Sequence, residues 1–164
     1  MAGLKLKGTG LGGGRLAGAL LAASVALSVP VALALPQYRT AAIRQFHYDE
    51  GNPLWEYDRR VMACIFCHVK ASGGAPWNPF GEEIRTAFRA DAQAGGRAKF
   101  PAVLGGVLAS GQDADGDGYS DALEVWARTL PGDLQSHPDR PVAELEEAFR
   151  AAGGAGQYAP GGGK

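Results

Sequence analysis

The chain has 164 residues, room for one modest domain, and its 25 Gly and 10 Pro assign much of that length to loops, which excludes a large apolar core. Sixteen basic residues stand against 17 acidic ones, for a net charge of −1. No basic stripe runs through the sequence, which argues against nucleic acid and anionic lipid as partners.

In chain order, the first stretch has the layout of an export signal. Lys5, Lys7 and Arg15 give a positive start, an apolar run follows over residues 16–29, and Ala32-Leu33-Ala34 supplies a small-x-small cleavage site. Removing residues 1–34 starts the mature chain at Leu35 and leaves 13 basic against 17 acidic residues, about −4. The alternative is an uncleaved anchor, because residues 16–35 are just long enough to span a bilayer; Pro30 and the Ala-x-Ala site favour cleavage. Either way the folded part is expected outside the cytoplasm, periplasmic or secreted into the cell envelope, with no membrane span once the leader is cut.

Residues 38–50 have the pattern of a short helix with Ile43 and Phe46 on its apolar side, and they carry His47. The next signal is Cys64-Ile65-Phe66-Cys67-His68, which holds both cysteines of the chain. A disulfide across so short a spacing closes a ring that constrains almost none of the unfolded chain. A thioredoxin-like dithiol belongs at a strand-to-helix junction of a βαβ unit, which the flanking segments do not suggest. A structural zinc site asks for four ligands, and two thiolates plus His68 leave one missing. C-x-x-C-H as a haem-attachment motif accounts for all three residues: each thiol adds across one vinyl group and the adjacent imidazole takes the iron as proximal ligand. One covalent haem c on Cys64, Cys67 and His68 is therefore expected.

For the other face of the iron the inventory is short. After cleavage the single methionine is Met62, two residues before Cys64, and so tethered at the ring edge that a distal thioether is not expected. His47 is the first candidate for the distal ligand, His137 the second, and an open position the third. A haem lacking a thioether ligand is expected to have a lower reduction potential than one that has it.

The segment Ala71 to Gly81 combines paired glycines with two prolines in an irregular loop, and its Trp77 and Phe80 offer flat apolar surface suited to a porphyrin edge. An ordinary turn with core aromatics is the alternative. Asn78 then reads as an N-cap with Pro79 at the first helical position and Glu82 and Glu83 following. Phe80, Ile84, Phe88 and Ala92 recur at helical spacing until Gly95-Gly96, which predicts a helix over 79–93. Residues 100–112 carry Gly105, Gly106 and Gly111 and read as poor material for a long helix.

Residues 113–124, DADGDGYSDALE, form the second chemical signal. Counting Asp113 as position 1, carboxylates fall at 1, 3, 5, 9 and 12, with Gly118 at 6 and the Tyr119 carbonyl at 7, the ligand order of a twelve-residue calcium loop. Asp113, Asp115, Asp117, Tyr119, Asp121 and Glu124 are the expected ligands of one structural Ca2+. Magnesium is the weaker rival because it prefers to keep its waters. Ser120 occupies the usually apolar position 8, and Ala122, Leu123, Val125, Trp126 and Leu130 predict an outgoing helix that Pro131-Gly132 stops. The loop resembles those of thrombospondin type 3 repeats and dockerins more than a paired sensor EF-hand.

Taken with CIFCHVKASGGAPWNPFG and LPGDLQSHP, the chain over residues 64–138 resembles a group of exported bacterial proteins that join a cytochrome c-like haem motif to a thrombospondin type 3-like calcium loop. Its loop elements are also similar to the temptin-like domain, which lacks the haem motif. The resemblance implies a small extracytoplasmic haem domain; where that pattern often has Asn at loop position 9, Asp121 adds charge and keeps a ligand.

Asp139 and Pro141 open a last predicted helix with Val142, Leu145 and Phe149 on one face, and residues 153–164 read as a mobile, unburied tail. The expected fold is a mostly α, loop-rich small single domain over residues 35–152, organised by covalent haem and a calcium loop. Its expected role is electron transfer with an unidentified redox partner of the cell envelope, not enzymatic catalysis, since no Ser-His-Asp set or general acid and base pair is visible. A five-coordinate haem that binds small ligands is one alternative. A secreted calcium-binding interaction module with a disulfide in CIFCH is the other.

Overall fold

The structure is a computed structural model, and it describes Gly3, residues 36–48, the backbone at 55–56, and residues 61–161. The leader, with its cleavage site or anchor, lies outside the described residues. Among those residues no helix is long and apolar enough to cross a membrane.

The domain is mostly α. Helix α1 spans Pro36–Gln45 and is followed by two short antiparallel strands, β1 (Trp55–Glu56) and β2 (Val61–Met62), with Trp55 opposite Met62. A single 3-10 turn, Cys64–Phe66, leads to helices α2 (Pro79–Gln93), α3 (Phe100–Ala109), α4 (Asp121–Ala127) and α5 (Val142–Ala151), and a second such turn covers Gly154–Tyr158.

Helix α2 has the predicted bounds, and local chemistry explains both ends. The Asn78 side chain accepts a hydrogen bond from Gly81 N at 2.8 Å, Pro79 fills a first-turn position whose N–H needs no partner, and Gly95, at φ 78°, lets the chain leave after Ala94. Asn78 also donates through Nδ2 to the carbonyls of Ile65 (2.9 Å) and Phe66 (3.2 Å), fastening α2 to the cysteine turn. Gly81 lies against that turn so closely that a Cβ there would sit 2.0 Å from the Cys67 carbonyl oxygen.

Two expectations are corrected together. Residues 100–109 form a helix despite their glycines, because Phe100, Val103, Leu104, Val107 and Leu108 are all buried and that burial outweighs the roughly 1 kcal/mol cost of each helical glycine. The C-terminal segment is not a tail up to residue 161: it turns back so that Tyr158, 2 % exposed, enters the core. Gly105 is where it crosses α3, since a Cβ there would be 3.0 Å from Tyr158 O, and Gln45 Nε2 clips the same carbonyl at 2.7 Å. Residues 162–164 lie outside the described residues.

The core gathers around Phe46, whose ring lies 5.3 Å from Phe66, 5.5 Å from Tyr48 and 6.1 Å from Tyr158. The Tyr48 hydroxyl donates to Val125 O, which ties the end of α1 to α4.

Candidate functional site

Two regions carry chemistry. The first is an apolar cavity of about 240 Å³ beside the cysteine turn. Cys64, Cys67 and His68 line it together with Met62 and Ala63 from the incoming strand. Tyr38, Arg39 and Ala42 come from α1, Ile84, Arg85 and Phe88 from α2, Phe100 from α3, and Trp77 from the loop before α2.

Local pairing builds the wall at His68. Cys67 O accepts from Asn78 N at 3.1 Å and Val69 N donates to Pro76 O at 3.1 Å, so His68 and Trp77 face each other as an antiparallel bridge with ring centroids 3.9 Å apart. Arg85 then covers the indole, its guanidinium carbon 5.3 Å from the ring centroid. His68 is buried, and Nδ1 makes no hydrogen bond. Burial lowers its pKa below the ordinary value, with the Gly74 backbone opposing, which favours the neutral form that a metal ligand needs. Both thiols are free. Burial, with a smaller contribution from Cys64, pushes Cys67 up to about 12, the reverse of the depressed thiol pKa of a redox-active pair.

The structure does not bring the two distal candidates to this cavity. His47 adopts φ 58° just past the end of α1; this turns its exposed ring onto Tyr158, 6.1 Å away, with Nε2 3.2 Å from Gln157 O. His137 lies beside the acidic loop, its ring parallel to that of Tyr119 at 6.3 Å. Met62, which sequence reasoning set aside, is buried in the cavity wall. Trp77 lines the cavity, whereas Phe80 packs into the core 5.8 Å from Phe66. Sequence reasoning missed Tyr38, Ala42 and Arg39 as wall residues; Tyr38 and Ala42 stand one helical turn apart, which was the available signal.

The second region is the acidic loop. Gly116 and Gly118, at φ 79° and 98°, bend the backbone so that its N–H groups point inward. Asp113 accepts from Gly116 N and Gly118 N, both at 2.8 Å; Asp115 accepts from Asp117 N at 3.2 Å; Asp117 accepts from Tyr119 N at 2.8 Å. Carboxylate oxygens of Asp113, Asp115 and Asp117 come within 4.8 Å of one another. The second oxygens of Asp115, Asp117, Asp121 and Glu124 are buried without a hydrogen-bond partner.

Such an array is costly to hold as bare anions. Burial, then the charges of Asp115, Asp117, Asp121 and Asp113, push Glu124 up to about 10. Burial, then the neighbouring Glu83 and the charge of Asp113, push Asp121 up to about 8, with the Ala114 N–H opposing. Asp115 is raised as well, by burial first and by its acidic neighbours second. Unpartnered buried oxygens and raised acidities are what a hard cation would relieve, so the residues fit Ca2+. Tyr119 occupies the seventh position, its hydroxyl donating to Arg140 O at 2.9 Å.

Comparison with protein-family models, with curated proteins and with solved structures finds no match to this chain.

Proposed function

We infer that the chain is an exported electron-transfer protein holding one haem c on Cys64, Cys67 and His68 and one structural calcium ion on residues 113–124. The single observation that carries the reading is that both thiols and a buried imidazole line the same apolar cavity, whose other walls are largely aromatic and aliphatic. An apolar cavity with both thiols in its wall suits the apolar face and vinyl edge of a porphyrin. Bound haem supplies one-electron redox chemistry; the chain's own residues exclude water, hold the ring and set its surroundings. His68 would hold the haem iron, and Trp77 packs against its imidazole with ring centroids 3.9 Å apart. Tyr38, Ala42 and Phe100 close the cavity from α1 and α3.

The calcium ion takes Asp113, Asp115, Asp117, Asp121 and Glu124 with the Tyr119 carbonyl, and its role is to allow those carboxylates to be buried together. The partner is a redox protein of the cell envelope. No catalytic role is assigned.

Absorption spectra of both oxidation states and intact mass of the protein exported in cells with haem-attachment machinery test the reading. The expected result is a covalently retained chromophore adding one porphyrin to the mass. A colourless chain of unmodified mass would overturn it. A second reading, a haem with an open distal position that binds small ligands, is favoured by the location of His47 and His137 away from the cavity. Rapid carbon monoxide binding by the ferrous protein selects that reading, and a spectrum unchanged by carbon monoxide selects the six-coordinate carrier.

A further inference from the structure

A metal-ligating imidazole commonly has its second ring nitrogen bonded to a neighbour, which sets the plane of the ring. Among the described residues His68 Nδ1 is buried and makes no hydrogen bond. What lies against the ring is the indole of Trp77, with centroids 3.9 Å apart and planes inclined at 37°. Backbone pairing sets the two residues opposite each other, since Val69 N donates to Pro76 O and Asn78 N to Cys67 O, both at 3.1 Å.

Helix α2 grips the indole in turn. Its Gly81 and Arg85 stand four residues apart and so share one face of the helix. At Gly81 a Cβ would be 2.9 Å from Trp77 Cε3, so the indole approaches the helix as closely as glycine allows. At Arg85 the guanidinium carbon lies over the indole, 5.3 Å from its centroid, and the same guanidinium is paired with the exposed carboxylate of Glu82. Glu82, Arg85, Trp77 and His68 thus form one column from the surface of α2 to the buried imidazole. A planar guanidinium is attracted to the face of an indole and stacks on it. With Arg85 over it and Gly81 beside it, the indole has little room to turn, and the imidazole against it has little more.

We propose that Arg85 is a positioning residue for His68: by clamping Trp77 from α2 it fixes the plane that this imidazole presents to the haem iron. This rests on the reading given under Proposed function. The stack takes the part that a hydrogen bond at the second nitrogen plays in other metal sites. Arg85 acts only through Trp77, and the column needs nothing from the acidic loop.

The test uses the exported, haem-loaded protein. It reads intact mass, midpoint potential and the ferric electron paramagnetic resonance spectrum, whose g values follow the plane of an axial imidazole. The unaltered protein is expected to show one sharp set of g values. Arg85→Gln should keep the haem mass, broaden or split that set, and lower the potential by the loss of a nearby cation. Arg85→Lys, which returns a cation to the indole, should recover most of the sharp set. Arg89→Gln removes an exposed cation of the same helix and should leave the spectrum as in the unaltered protein, which separates the clamp from the change in charge. Should Arg85→Gln fail to fold, as judged by circular dichroism, Trp77→Leu removes the flat ring and should broaden the spectrum in the same way. A sharp, unshifted set in Arg85→Gln, or in Trp77→Leu where that variant stands in for it, overturns the proposal and leaves the haem reading intact. Equal changes in Arg85→Gln and Arg89→Gln do the same. An unmodified mass for the unaltered protein overturns the haem reading and the proposal with it.

Discussion

In the acidic loop every prospective ligand falls within twelve consecutive residues, and the loop's own backbone N–H groups orient three of its carboxylates. In the cavity the wall comes from α1, β2, the cysteine turn, the Trp77 loop, α2 and α3, and nothing local arranges them. The two regions also differ in what they lack. The cavity is apolar and tolerates standing without a guest at the cost of lost contacts; the loop buries negative charge and does not tolerate it without protons or a cation. Local geometry with unbalanced charge makes a site that is easy to read and strongly dependent on its ion. Dispersed, largely apolar geometry makes one whose shape depends on the rest of the fold.

The sharpest break in this comparison is removal of the sulfurs. Cys64→Ala combined with Cys67→Ala is expected to abolish covalent porphyrin completely, seen as the unmodified intact mass, while calcium still binds calorimetrically because the loop needs nothing from the cysteine turn. Gly81→Ala acts on the dispersed site alone. Its Cβ would collide with the Cys67 carbonyl, backbone cannot yield as a side chain end can, and a loss of about 3 kcal/mol is expected in denaturant unfolding.

For the loop, pH distinguishes the two regions. Asp121 and Glu124, raised to about 8 and about 10 from ordinary values of 3.8 and 4.5, hold protons in the fold where the unfolded chain has released them. The calcium-free folded state therefore binds more protons than the unfolded state, and its stability falls as pH rises from about 4 towards 10. On the proposed reading, calcium replaces those protons. The gap in Tm between calcium-saturated and chelated protein should widen from pH 5 to pH 8, with calcium at a hundred times its Kd contributing about 2.7 kcal/mol. A gap that narrows over that range would contradict the assignment of these carboxylates to a cation.

Smaller effects test the seam between the regions. Tyr48→Phe removes the bond to Val125 O that joins α1 to α4, and about 1 kcal/mol is expected to be lost in thermal or denaturant unfolding. The smallest expected effect is that of His47→Ala. Since this imidazole packs on Tyr158 and bonds Gln157 O, the haem spectrum should not change, and loss of a low-spin six-coordinate signature would return His47 to the iron.

Much of the molecule was legible because its signals are short in range. Asn78, Pro79 and Gly95 mark α2 within one or two residues of its ends, and the spacing of Asp113, Asp115 and Asp117 sets the loop. The misreadings share one origin. Gly105 argues against a long helix in sequence and residues 153–164 read as unable to bury anything, yet these are the two sides of a single contact: the glycine leaves room for the Tyr158 carbonyl, and Tyr158 fills the core beyond it. Neither half can be seen without the other, because a glycine placed for close approach has the same letter as one placed for disorder.

By itself, then, the sequence determined the mostly α character, the bounds of α2, the cysteine and histidine spacing and the order of the acidic loop, since each follows from backbone propensity or from chemistry within a dozen residues. The tertiary structure alone decided which histidine stands at the cavity, that Met62 and Tyr38 line it while Phe80 does not, and that Tyr158 enters the core. Those outcomes depend on how helices distant in sequence pack, and packing is set by mutual burial that no single segment encodes.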